Sequence, residues 1–155
     1  MLKTTLHGRS RVLFLLVSLA LAAVACATPQ PLLNPAPIAA AGSPAQTRVA
    51  ILRGLAESNW VLESERVGEI VARYSRSDWT MLVQIAYSNE VSIRYVSSVN
   101  LEYGTSRNGT PVIHRGYNSR VQRLSKVIGT EIMIARAADS LPPVAAPPPG
   151  EARPH

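Results

Sequence analysis

The strongest periodic signal in the chain is an apolar stripe in its C-terminal third. Apolar residues recur there at spacings of four, four, three, four and four residues. They are Ile113, Tyr117, Val121, Leu124, Ile128 and Ile132. This spacing places all six on one face of an α-helix. Gly116 and Gly129 each weaken that helix by about 1 kcal/mol relative to Ala, so the sequence predicts a long helix that depends on packing against another layer.

Four β-strands are predicted upstream of this stripe, between residues 59 and 97. Residues 69–75, 80–88 and 91–97 alternate apolar and polar side chains, and NWVLESER precedes them as a first strand. The inward positions would be Ile70, Ala72, Tyr74, Met81, Val83, Ile85, Tyr87, Val91, Ile93 and Tyr95. Turns at Gly68 and at Asn89-Glu90 leave only short connections, which favours a four-stranded antiparallel meander. The stretch from Asn100 to Thr110 is predicted to be a loop.

A second helix is predicted to begin at Ser43, before the strands. Ser43 can cap it, Pro44 suits its first position, and Gln46 completes a capping box. Its apolar face would contain Val49, Leu52 and either Leu55 or Ala56. The predicted class is therefore α+β, with the order α-β-β-β-β-α over residues 43–138 and both helices packed on one face of the sheet.

Residues 1–25 have the composition of a signal peptide. A basic start is followed by a run of 13 largely apolar residues, which is too short to span a bilayer. The sequence AVAC, which ends at Cys26, resembles the lipobox of bacterial lipoproteins, where the cysteine is acylated, with palmitate among the chains. Cys26 is the only cysteine, so it cannot form an internal disulfide, and acylation accounts for it. The alternative is an ordinary secretory signal peptide, with Cys26 as a free thiol.

The location follows from the same resemblance. Ala27 stands after the cysteine, whereas in enterobacterial lipoproteins an Asp there retains the protein in the inner membrane. The resemblance therefore implies a protein held in the outer membrane through the lipid on Cys26 and facing the periplasm. Three of the 16 basic residues lie in the signal peptide, so 13 remain against 10 acidic residues. This mild balance predicts no nucleic-acid partner.

Two segments rich in Pro and Ala flank the predicted domain. Residues 26–42 contain four prolines and no charged residue, which predicts an extended, poorly ordered tether after the lipidated cysteine. Residues 139–155 form a proline-rich tail that we expect to be disordered. The alternative for the tail is a polyproline II docking motif.

The sequence offers few groups for chemistry. It contains no HExxH, P-loop, GxSxG or dinucleotide-binding pattern, and outside the signal peptide its only histidines are His114 and His155. We therefore expect no metal, no cofactor and no enzyme activity. A carboxylate pair such as Glu63 with Glu69 is more often solvated surface than a catalytic pair.

One polar cluster stands out in the sequence IHRGYN, residues 113–118. His114 and Asn118 are four residues apart, so they would share a helical face and could hold a polar ligand together with Tyr117. Tyr95 and Asn100 are further candidates for such a site. The alternative, which we favour, is a structural junction in which His114 bonds a loop carbonyl and Tyr117 lies in the core.

The region around this cluster resembles a group of small bacterial lipoproteins of unassigned function. Their pattern is an alternating strand ending I.Y..S.NL.Y, then IH..YN.W and a helix. The matching residues are Ile93, Tyr95, Ser98, Asn100, Leu101, Tyr103, Ile113, His114, Tyr117 and Asn118. The resemblance covers roughly residues 60–128 and departs at Arg120, where those proteins often have Trp. It implies a fold and a location but no activity.

Together these features predict a lipid-anchored periplasmic domain that is not an enzyme. It would bind an envelope protein or a cell-wall polymer, or support the envelope. The alternative is a small-molecule sensor or an enzyme that uses His114, Tyr117 and Asn118. Four basic residues flank the apolar stripe, namely Arg115, Arg120, Arg123 and Lys126. They would contact anionic headgroups or cell-wall polymers, or else form an ordinary solvated helix face.

Overall fold

The computed structural model describes residues 29–140. The predicted signal peptide, Cys26 and most of the tail lie outside these residues. The helices are α1 (Pro44–Glu57) and α2 (Arg115–Asp139). The strands are β1 (Gln30–Pro31), β2 (Ile38–Ala39), β3 (Val61–Arg66), β4 (Glu69–Arg76), β5 (Trp79–Tyr87), β6 (Glu90–Val99), β7 (Gly104–Thr105) and β8 (Pro111–Ile113). The predicted α+β class is confirmed.

The strands form two antiparallel sheets, where we expected one sheet of four strands. The larger sheet has five strands in the order β2-β6-β5-β4-β3, and the smaller has the order β1-β8-β7. The fifth strand of the larger sheet is β2, whose Ile38 pairs with Val91. The smaller sheet includes β7, within the predicted loop. These additional strands have two or three residues each, too few to produce a detectable alternation.

The core lies between the larger sheet and the two helices. All the predicted inward residues of β4 and β5 are buried, and they alternate with half-exposed residues. On α2 the predicted stripe is buried from Tyr117 to Ile132. Ile113 is also fully buried, but it belongs to β8, because the helix begins only at Arg115. The inward position Tyr95 is half-exposed and packs at the margin of this core.

The start of α1 has the predicted capping box. The Ser43 hydroxyl accepts a hydrogen bond from the Gln46 N–H at 3.2 Å, and the Gln46 side chain accepts one from the Ser43 N–H at 2.7 Å. Pro44 occupies the first turn. The helix ends before Asn59, whose φ of 61° is the left-handed conformation that Asn tolerates.

The buried face of α1 agrees only in part with our prediction, since Leu55 is buried and Leu52 packs against the core, but Val49 does not. The buried residues are Thr47, Ala50, Ile51, Gly54 and Leu55, whereas Val49 is 43% exposed. The reason is the close contact with α2. A Cβ atom at Gly54 would lie 2.7 Å from Cγ1 and 3.2 Å from Cα of Ile128. Small residues therefore line the contact, and the apolar pattern alone does not identify this face.

The predicted tether is instead packed against the domain over its described part. We call residues 30–41 the strap. Its two ends pair with β8 and β6 through β1 and β2. Leu32, Leu33 and Ile38 pack against the core, and Ala41 is completely buried. The apolar side chains of this proline-rich segment thus give it a buried surface, which an extended tether lacks.

The strap follows one flank of α2 from its start to its end. Asn118 bonds to the backbone of Pro31 and Leu33. One turn before the end of α2, the Arg136 guanidinium donates to the carbonyl oxygens of Ala39 and Ala40 at 2.9 and 2.6 Å. No helix within residues 29–140 has both the length and the hydropathy needed to cross a membrane.

Candidate functional site

His114 caps the N-terminus of α2. Its Nδ1 accepts a hydrogen bond from the Gly116 N–H at 3.0 Å. The backbone N–H of His114 donates to the Leu101 carbonyl at 2.8 Å, and the backbone carbonyl of His114 accepts from the Tyr117 N–H at 3.0 Å. The first N–H groups of a helix have no partner within it, and the imidazole serves one of them here, as a Ser or Asp more often does. The His114 backbone also joins the helix start to the loop before β7.

Trp79 packs over this cap. Its ring meets the His114 ring edge-on, with a centroid distance of 4.7 Å and an interplanar angle of 64°. A Cβ atom at Gly116 would lie 2.5 Å from Cζ3 of Trp79. Glycine is therefore required at this position for steric reasons, even though it weakens the helix. The first turn of α2 is fixed between the β5 tryptophan and the loop.

Tyr117 lies in the core. It is fully buried, and its ring meets that of Tyr95 edge-on at 5.4 Å. Tyr95 in turn stacks on Tyr103 at 4.6 Å. The Tyr117 hydroxyl has no hydrogen-bond partner among the described residues. Burial, with a smaller contribution from Tyr95, raises the pKa of this hydroxyl well above its usual range, so it stays protonated throughout the physiological pH range.

Asn118 holds the strap with both ends of its side-chain amide. Its Oδ1 accepts from the Leu33 N–H at 3.0 Å, and its Nδ2 donates to the Pro31 carbonyl at 2.8 Å. This pattern reproduces the pairing of one β-strand with another. The backbone of Leu32, between these two residues, donates to the Pro111 carbonyl at 2.9 Å on the other side. The strap is thus bonded to α2 and β8 at one place.

Tyr95 and Asn100, the other two candidates, also bond within the fold. The Tyr95 hydroxyl lies 3.0 Å from the Ser98 hydroxyl. Asn100 has a φ of 57°, and its Nδ2 donates to the Asp78 carbonyl at 2.9 Å. Of the five candidates, four lie at one junction. The rings of Tyr95 and Tyr117 are in contact there, and His114 and Asn118 lie beside Tyr117 at the start of α2. Asn100 is connected to it only through the neighbouring Leu101, whose carbonyl bonds His114.

The two carboxylates considered as a pair are both bound to arginines. Glu63 accepts from Arg73 at 2.8 Å, and Glu69 accepts from Arg66 at 2.7 Å and also from Gln84. The hydrogen bond from Arg66 lowers the pKa of the Glu69 carboxyl. A general acid needs the opposite shift. Within residues 29–140 no three His, Cys, Asp or Glu side chains are grouped as metal ligands.

A cleft lies at the other end of the domain, where our sequence reasoning placed no site. It has a volume of about 690 Å³ and lies between the start of α1 and the turns that follow β3 and β5. Arg48 and Glu65 form an ion pair on its wall, and this contact lowers the pKa of the Glu65 carboxyl. Val67, at the rim, is fully exposed. Residues so far apart in sequence give no local pattern that would predict this cleft.

Comparisons with known proteins give no further identification: no family model, no curated protein and no solved structure matches the chain.

Proposed function

We propose that the protein is a lipid-anchored domain of the bacterial outer membrane, facing the periplasm, with a non-catalytic binding or structural role in the envelope. The observation that carries this proposal is the double hydrogen bond from Asn118 to the strap. The strap is the segment that leads from Cys26 into the domain. This contact supports a structural role for the motif, because it fixes the segment that would connect a lipid on Cys26 to the domain.

The bonds of the motif argue against the alternative of a sensor or an enzyme. Nδ1 of His114 and both polar atoms of the Asn118 amide bond to the backbone of the chain itself. Tyr117 is fully buried. A ligand at this junction would have to displace these bonds, and each displaced group would then need a new partner.

The lipid anchor can be tested with Cys26→Ser. We expect this variant to move from the membrane fraction to the soluble fraction, because the described domain contains no helix that could cross a membrane. Ala27→Ser, which changes the neighbouring residue and keeps the cysteine, is the matched control and should remain in the membrane. Intact-mass measurement of the wild type should show the added acyl chains. A membrane-bound Cys26→Ser protein, together with a wild type that carries no lipid, would contradict the proposal.

The membrane can be identified with Ala27→Asp. An Asp after the acylated cysteine should redirect the protein to the inner membrane if the enterobacterial sorting rule applies. Density-gradient separation of the two membranes provides the measurement. Wild type in the inner-membrane fraction would contradict the outer-membrane assignment without affecting the anchor.

The non-catalytic role can be tested with His114→Ala and Asn118→Ala in a strain that lacks the gene. We expect both variants to be destabilised in melting experiments and still to restore the phenotype at permissive temperature. Unchanged melting with lost complementation would contradict the structural role of the motif and would support the sensor or enzyme alternative.

A further inference from the structure

We propose that the outward face of the first half of α2 rests on the anionic phospholipid headgroups of the membrane that holds the Cys26 lipid. This inference depends on the proposed lipid anchor. It adds an orientation for the domain and a second contact with the bilayer. The exposed residues of this face are Arg115, Ser119, Gln122, Arg123 and Lys126.

The first argument is the short distance between Cys26 and the folded domain. Pro29 is only three residues after Cys26, and their Cα atoms can be at most about 11 Å apart. Gln30, the next residue, is already paired with Ile113 in the smaller sheet. Because the strap is packed, it adds no length to the linker. A lipidated Cys26 would therefore keep the domain close to the bilayer surface.

The second argument is the place where the chain enters the domain. Gln30 pairs with Ile113, two residues before α2 begins at Arg115. Asn118, one turn into α2, is bonded to Pro31. The short linker from Cys26 therefore reaches the domain beside the first turn of α2. From Arg115 to Lys126 the helix extends only about 17 Å, so this whole face lies near the attachment point.

The third argument is that the other sides of α2 are already covered. The core side contains the buried stripe. One flank carries the strap, bonded through Asn118 and Arg136. On another side Arg120 lies over the Tyr74 ring of β4, 5.1 Å from its centroid, and Ile128 contacts α1. The remaining outward face is the one that an external surface can reach.

The fourth argument is charge. At 100° per residue Arg115, Arg123 and Lys126 lie on the outward face. The acidic residues of α2 lie elsewhere: Asp139 bonds to Gln46 of α1, and Glu131 is half-buried on a flank. Each basic residue near an anionic leaflet strengthens attachment about fivefold. Met133, 68% exposed, extends the same face towards the C-terminus.

The test uses the lipidated full-length chain in vesicles. Because Cys26 is acylated, Ser119→Cys introduces one free thiol for a fluorescent donor on the outward face of α2. Ser97→Cys is the matched control, since Ser97 is an exposed serine on the opposite surface of the larger sheet, where it pairs with Leu82. Energy transfer to acceptor-labelled headgroups reports the distance of each position from the bilayer.

In vesicles containing phosphatidylglycerol we expect clearly stronger transfer from position 119 than from position 97. Arg123→Glu should reduce this difference, whereas Arg94→Glu, an equal charge change on the sheet surface, should leave it intact. Phosphatidylcholine vesicles should show a smaller difference. An equal difference in both lipids would overturn the role of anionic headgroups.

Two failures of the test are distinguishable. A chain that carries no acyl group by intact mass would overturn the proposed anchor, and the inference with it. A chain that is acylated but shows equal transfer from both positions would overturn the orientation alone. That second result would leave the outward face of α2 available to an envelope protein instead.

Discussion

The larger sheet and the strap bury apolar side chains in different ways. In β4 and β5 every second residue is buried, and one continuous ladder joins the two strands from Glu69 to Arg76. The strap instead buries a few apolar residues without a regular period and is held by two short strand pairings and by side chains of α2. The sheet is thus stabilised by many equivalent contacts along its strands, and the strap by a few particular contacts.

This difference predicts a difference in stability between the two regions. Segments with few buried contacts open locally, at a lower free energy than the global unfolding of the core. We therefore expect the strap to open locally while the rest of the domain stays folded, whereas the sheet and the helices should unfold together. Substitutions in the core and in the strap should separate these two kinds of behaviour.

The largest effect is expected for Ile128→Asp. Ile128 is fully buried against α1. An unpaired buried charge costs several kcal/mol, out of a total of about 5–15 kcal/mol for a domain. We expect the variant to be unfolded or to melt far below the wild type in circular dichroism. Thr130→Asp, two residues along on an exposed position, should melt nearly as the wild type does. A melting temperature of Ile128→Asp near that of the control would show that this side of α2 is not buried.

The next largest effect is expected for Tyr117→Ala. Removal of a buried aromatic ring costs about 3–5 kcal/mol. Tyr117→Phe keeps the ring and removes only the hydroxyl, which has no partner among the described residues. Because an unsatisfied buried polar group costs about 1–3 kcal/mol, we expect Tyr117→Phe to be as stable as the wild type or more stable. Chemical denaturation of both variants measures the two effects. A clear loss of stability in Tyr117→Phe would reveal a partner for the hydroxyl.

Two helical glycines give a pair of effects with opposite signs. Gly54→Ala would place a methyl group 2.7 Å from Ile128, and such overpacking costs about 1–3 kcal/mol. At Gly129 an added Cβ atom would lie 4.0 Å from Cδ1 of Ile38, an ordinary van der Waals contact. Gly129→Ala should therefore gain up to about 1 kcal/mol of helix propensity. Equal melting shifts for the two variants would contradict the close approach of the helices at Gly54.

The core could be predicted from the sequence because its information is local and repeated. Each of β4, β5 and α2 contains several buried residues at a fixed period, so single exceptions do not hide the pattern. The capping box at Ser43 is likewise complete within four residues. The buried face of α1 was predicted only in part: Leu55 is buried as expected, whereas Gly54 is buried by its close contact with Ile128 of α2 and not by its own hydrophobicity.

The strap and the junction depend on contacts that no local pattern contains. Pro31 and Asn118 are 87 residues apart, and Ala39 and Arg136 are 97 residues apart. The proline content of residues 26–42 predicts an extended backbone, but it does not show that residues 30–41 are bonded to the domain at both ends. The cluster at His114 was visible in the sequence, whereas its hydrogen-bond partners were not.

The smallest effect, and the one most specific to the strap, is expected for Asn118→Ala. It removes two neutral hydrogen bonds, worth about 0.5–1.5 kcal/mol each, from a half-exposed position, so we expect global stability to fall by about 1 kcal/mol. The Leu33 amide, which donates to Asn118, should exchange its hydrogen much faster. The Val83 amide in the buried centre of β5 should change only as global stability does. Asn108→Ala, in an exposed turn, is the control. Hydrogen exchange that accelerates equally at Leu33 and Val83 would show that the strap unfolds only with the core, and the contrast between the two regions would then be lost.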